Sequence, residues 1–299
     1  MSLLLLRGAL EQGLLYALVA LGLYISFRVL GLADLTVDGS FTLGAAVAAV
    51  LTLAGHPWFA LLAALGAGAL AGLVTALLQT KLKVQSILAG IITMTGLYSI
   101  NLRVMGGRSN LALLRSDTPF TLFGSLGLGP WSKVLFALML ALVVCLLLAL
   151  FLRTRLGLSV RATGDNAAMV SASSINPQFT TAVGLMVANS LVALSGALVA
   201  GYQKFADISM GTGMVVIGLA SLIIGEVLLG AARRPSVARG LAAALVGGVI
   251  YWLIIALALS SSLSAGDLKL VSAVIVACSI SWPALKNGLA LLWRKKHHA

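Results

Sequence analysis

Charge is scarce in this chain. Of 299 residues, 20 are Lys or Arg and 8 are Asp or Glu, so that 9% carry charge, against roughly 25% in soluble proteins. Such a sequence cannot clothe a soluble surface of this size. Cysteine is nearly absent, with two residues; Cys145 and Cys278 both lie in apolar runs, which excludes a disulfide scaffold and a paired-cysteine metal site. The three histidines are peripheral: His56 sits at a helix boundary, and His297 and His298 lie in the tail. Missing too are the glycine-rich Walker loop, the zinc-protease HExxH pattern and the GxSxG elbow. The eight acids mostly fall at segment ends, which argues against paired ionisable groups at mid-depth and so against intramembrane catalysis.

What is present is apolar surface. Hydrophobic residues make up 60% of the chain, mean hydropathy is +1.08, and 32 glycines suit close helix packing in lipid. These features predict an all-α, polytopic membrane protein embedded in the lipid bilayer, with residues 1–299 forming a single membrane domain. The net charge of +12 does not imply nucleic acid, because the basic residues sit in short connectors and are not interleaved with aromatics on a polar face. The first apolar run follows Arg7 without a small-residue cleavage site, so no cleavable leader is expected.

A spanning helix needs about 20 apolar residues. Such runs occur near 9–30, 58–79, 84–105, 131–152, 177–200, 237–259 and 268–285. Two more, near 35–55 and 209–226, begin in polar or glycine-rich stretches, Asp34 to Ser40 and Ser209 to Gly213. They read as spans whose first turn or two is unwound, giving about nine segments (8–10). If all nine cross, with 153–176 inside, thirteen Lys and Arg lie in the cytoplasm and seven outside. That excess favours an outer N-terminus and an inner C-terminus. Long, broken, long and long spans follow one another on both sides of the lone run at 131–152, as inverted repeats around a central helix would. Broken helices in matching positions point to a substrate path.

On these grounds the pathway candidates are Asp38 and Ser40 of the first broken span, Gly211 and Thr212 of the second, Thr93 and Asn101 on a polar stripe with Tyr98 beside it, and Asn189 in mid-span. Helix packing explains several of them equally well when taken singly, since Ser and Asn often join membrane helices. Asp38 reads either as a pathway carboxylate or as the cap of a helix starting at Ser40. Glu226 reads as a gate or as a partner of Arg233 or Arg234. The connector 153–176 predicts a short helix capped by Asp165 and running through Ile175, followed by Asn176-Pro177 as the start of the next span. Its small residues suit a partner's groove, and equally a connector lying on the membrane surface.

Four stretches carry a family resemblance. Thr154 to Asn176, with Gly164, Asp165, Asn166, Ala168, Ser173 and Ile175, resembles the cytoplasmic coupling segment of ATP-binding-cassette importer permeases of the branched-chain amino acid, ribose and nucleoside group. Gly31 to Ser40, Lys81 to Met94 and Gly218 to Glu226 resemble other motifs of that group. Gly96 to Gly107 resembles the subfamily paired with lipoprotein-type binding proteins and associated with tryptophan, tyrosine or related substrates. The resemblance implies a transport subunit of the bacterial inner membrane that is not an enzyme and holds no cofactor itself. ATP and Mg would be bound by separate cytoplasmic ATPase subunits docking on the coupling segment. A solute-binding protein would deliver ligand outside, and a second permease copy, most simply a homodimer, would complete the path. Without the resemblance, a stand-alone channel or ion-coupled transporter is the competing reading, distinguished by dependence on ATP.

Overall fold

The structure, a computed structural model, describes residues 3–114, 116–124, 129–230, 236–260, 273, 274 and 277. Helix α1 (Leu3–Leu23) continues as a π-helical turn, Tyr24–Val29. Then come α2 (Thr36–Leu53), α3 (Pro57–Thr80), α4 (Ser86–Val104), β1 (Asn110–Ala112), the short α5 (Pro119–Gly124) and α6 (Ser132–Phe151). After them come α7 (Arg155–Asp165), α8 (Ala167–Ala172), α9 (Pro177–Gln203), β2 (Phe205–Asp207), α10 (Met214–Leu229) and α11 (Val237–Ser260). Seven helices are long and apolar enough to cross a membrane, and α10 is a shorter apolar helix. These eight coincide with the first eight expected spans; of the ninth, 268–285, all but residues 273, 274 and 277 lie outside the described residues.

Connections between elements agree with the expected sidedness. β1 pairs antiparallel with β2, Leu111 opposite Ala206, which puts the ends of α4 and α9 on one face. Near that face Glu11 of α1 accepts from Arg7 (2.9 Å) and from the Tyr202 hydroxyl of α9 (2.7 Å). On the opposite face α7 sits on the π-helical turn, with Gly164 so close to the Val29 carbonyl that a β-carbon would overlap it. Ser86 at the start of α4 donates to the Ala33 carbonyl there (2.9 Å).

α1, α2 and α9 form the interior, whereas α3, α4 and α6 turn apolar faces outward, with Leu62, Leu70, Leu146 and Leu147 among the exposed side chains. In lipid, exposed leucines gain nothing by burial, and helices associate through close backbone packing. α3 lies along α9 through Gly68 and Gly72, where a methyl group would overlap the Asn189 and Leu185 carbonyls. α11 lies along α1 in the same way, Gly248 against Ala17. In the expected repeat α9 corresponds to α1 and α11 to α3, and the structure packs α1 on α11 and α9 on α3.

The connector differs from expectation in its caps. Thr154 caps α7, accepting from the Gly157 amide (3.1 Å), and Asn166 caps α8, accepting from Met169 (3.0 Å). Asp165 ends α7 and caps nothing, because the extended residue that breaks the helix is Asn166. The second helix stops at Ala172, short of Ile175. Asn176 and Pro177 do start α9, with Asn176 accepting from Gln178 (2.9 Å).

Candidate functional site

The two broken spans meet at their N-terminal ends. The chain leaves the π-helical turn, runs without helix through 30–35, and re-enters helix at Thr36. Ser40 then touches Asn189, twelve residues into α9 and thus about 18 Å along it at 1.5 Å per residue. α2 therefore begins inside the bundle, a turn or more from the ends of its neighbours, with Thr36 bonded to Thr75 of α3 and Leu35 packed on Gly90 of α4. The turns of 208–213 end in Gly213, whose φ of +86° is the left-handed conformation that glycine takes without strain. Gly211 packs on the Asp38 carbonyl with no room for a side chain, and its amide donates to Thr42 Oγ1 (3.1 Å).

Asp38 does not cap its own helix. That helix is already in its first turn at Asp38, and the carboxylate reaches across to α10. Oδ2 accepts from the Gly213 amide at 2.8 Å and Oδ1 from the Val215 amide at 3.0 Å. Free N–H groups and the positive end of the helix dipole favour an anion at that point. No cationic side chain pairs with Asp38 among the described residues.

Beside this junction lies a crevice of about 310 Å³, lined by Asp38, Gly39, Thr42, Met94, Thr95, Tyr98, Asn101, Ile208 and Thr212. Asn101 is 1% exposed. Its Nδ2 donates to the Gly39 carbonyl (3.2 Å), and its Oδ1 has no partner among the described residues. Of the eight pathway candidates, Asp38, Tyr98, Asn101 and Thr212 line the crevice, and Gly211 packs directly behind Asp38 and Thr42. Ser40, Thr93 and Asn189 do not line it.

Those three belong to a second, enclosed cluster. Asp34, 2% exposed, accepts from the Thr36 amide (2.9 Å) and from Asn189 Nδ2 (2.7 Å). Ser40 donates to Asn189 Oδ1 (2.6 Å). Thr75 joins the hydroxyls of Thr36 (2.7 Å) and Thr93 (3.0 Å). Sequence reasoning passed over Asp34, Thr36, Thr42 and Thr75. The polar run from Asp34 to Ser40 was the available signal for the first two; Thr42 and Thr75 are lone hydroxyls in apolar stretches and give none.

At the other end of α10, Glu226 pairs with Arg28 of the π-helical turn, which donates from both Nε (2.7 Å) and Nη2. Expected partners Arg233 and Arg234 lie outside the described residues. In the connector, Asp165, Asn166, Ala168 and Ser173 are exposed, Ile175 is at the margin of exposure, and Gly164 packs inward. Among the described residues no group of three or more His, Cys, Asp or Glu side chains could hold a metal ion.

Comparison with known proteins accounts for this architecture. The family model described as branched-chain amino acid transport system, permease component, matches residues 5–279. A tyrosine transport system permease protein of Clostridioides difficile is 38% identical, over 94% of this chain and 92% of its own. An uncharacterized protein of Rickettsia prowazekii is 33% identical, over 91% and 95%. The ribose import permease protein RbsC of Escherichia coli is 26% identical, over 81% and 75%. No solved structure matches. A bundle of membrane helices with a polar junction between two broken spans, matched over nearly its whole length by transport permeases, is a transport subunit and not an enzyme: the chain belongs to the branched-chain amino acid permease family of ATP-binding-cassette importers.

Proposed function

We propose that the crevice at the junction of α2 and α10 is part of the path by which an amino acid, of the aromatic type named for the tyrosine permease relative, crosses the bacterial inner membrane. The observation that carries this reading is the meeting of two helix starts in one crevice with a carboxylate that has no cationic partner among the described residues. Unwound helix ends supply backbone groups to solutes in this way, and an ionisable group within a span is a functional candidate by default. An extracytoplasmic binding protein delivers the solute, a second copy of the chain completes the path, and cytoplasmic ATPases dock on α7 and α8.

The docking reading is supported by an exposed run of small residues on α8 and by a short mechanical route inward. α7 rests on the Val29 carbonyl through Gly164. The adjacent Arg28 grips Glu226 on α10, and α10 begins at the crevice. Motion of the docking segment therefore reaches the junction through three direct contacts.

Thr212→Trp tests the path. Thr212 is exposed at the crevice, whereas Ser40 and Thr93 are enclosed and leave no space for an indole. The variant is expected to lose ATP-dependent uptake while still co-purifying with its ATPase; uptake at the normal rate would place the path elsewhere. Ala168→Arg tests the coupling segment. Uptake should be lost with insertion intact, because an arginine forced into a protein groove clashes or buries a charge, whereas on a bare membrane surface it would be tolerated.

A further inference from the structure

The crevice is chemically incomplete in a way that specifies what would complete it. Asn101 lines it with a buried amide whose orientation is set by its neighbour. The Gly39 carbonyl can only accept, so the NH₂ group must face it, and Oδ1 is left over. An amide oxygen takes up to two hydrogen bonds, and this one has none among the described residues. Leaving such an acceptor buried and unpaired is costly. It calls for a donor.

Asp38 adds a second demand. Its two oxygens offer about four acceptor sites; the Gly213 and Val215 amides take two of them, and the Met214 amide also faces the carboxylate. The carboxylate has no cationic partner among the described residues, and an anion withdrawn from water favours a cation beside it. The remaining walls are largely apolar, with Met94, Tyr98 and Ile208. A volume of about 310 Å³ is at the small end of ligand pockets.

We infer that this crevice recognises the primary ammonium group of its solute, which donates to Asp38 and to Asn101 Oδ1 while the solute's apolar side chain lies against Met94, Tyr98 and Ile208. The inference rests on the reading of the crevice as part of the solute path. It assigns the amino group to this chain; the solute's carboxylate is not required for binding here. Asp38 and Asn101 stand on different helices, α2 and α4, so one small cation would bridge two elements already packed together at Gly39.

The test uses the permease in membrane vesicles with Cys145 and Cys278 replaced by alanine and Thr212→Cys introduced. A thiol-reactive maleimide reports access to the crevice, measured without ATP or binding protein. Three probes compete: L-phenylalanine, 2-phenylethylamine, which lacks the carboxylate, and 3-phenylpropanoate, which lacks the amine. The first two are expected to slow labelling about tenfold relative to the third, the range for a charge-assisted hydrogen bond. Asp38→Asn, which keeps an oxygen for the α10 amides, should abolish the difference. Equal protection by 3-phenylpropanoate overturns the inference, and so does protection by none of the three. Uptake by the whole importer after labelling separates the two readings. If modification at position 212 stops uptake while no probe protects, the path stands and ammonium recognition falls. If the modified protein transports normally, both fall.

Discussion

The membrane interior of this permease holds two polar clusters a few residues apart in sequence, and they differ in whether their hydrogen bonds are closed. Around Asp34 the account balances. Both carboxylate oxygens have donors, and the Asn189 amide gives to Asp34 and to the Leu185 carbonyl (3.1 Å) while accepting from Ser40. The threonine chain ends on helix carbonyls, Thr93 on Ala89 (3.0 Å). Around Asp38, among the described residues, one amide oxygen is unpaired and the carboxylate lacks a counter-charge. Residue types alone do not separate the two, since each has an aspartate, an asparagine and threonines. Saturation does: a closed network joins helices, and an open one has capacity for a solute.

The contrast breaks most visibly at Asp34. Asp34→Leu leaves the Thr36 amide and one of the two Asn189 Nδ2–H groups without an acceptor, at about 1–3 kcal/mol for each orphaned group. A fall in melting temperature and in the amount of inserted permease is expected; a wild-type melting curve would show that the closed cluster fastens nothing. Asp38→Asn is the complementary case. Uptake is expected to fall about tenfold, with stability changed by no more than ~1 kcal/mol because an asparagine still caps a helix well. Should melting fall as far as in Asp34→Leu, the two clusters are the same kind of structure. The smallest effect belongs to Thr75→Val, which removes hydrogen bonds of a type worth roughly 0.6 kcal/mol each between membrane helices. Calorimetry of the purified protein would detect it, and uptake per inserted molecule should be unchanged.

Much of the fold could be read from hydropathy, because a bilayer demands long apolar runs and tolerates few interruptions. The period of α4 was also legible. Thr93, Leu97 and Asn101 all turn inward, while Tyr98, one position off that face, is 55% exposed. The unwound starts of 35–55 and 209–226 were announced by their glycines and polar residues. Partnerships across the chain were not. Asp38 finds its amides 175 and 177 positions away, and Glu226 finds Arg28 at 198. No local pattern encodes such distances. Asp34 and Asp38 sit four residues apart in the same polar run, and only the arrival of α9 at one and α10 at the other closes the first network and leaves the second open.

The grip on α10 has a geometric consequence. Arg28 holds its inner end at Glu226 and Asp38 holds its outer end at Gly213. Thirteen helical residues between those holds span about 20 Å at 1.5 Å per residue. The same interval must be covered on the other side by the ten residues from 28 to 38. As continuous helix they would reach only about 15 Å, whereas an extended chain advances roughly 3.3 Å per residue. The unwound stretch 30–35 thus supplies the missing length, much as a tie-bar is cut to the span of its strut. Winding it into helix would shorten this side by about 5 Å against α10 and load its two holds, so the break in the first span and the shortness of the second are a matched pair of dimensions.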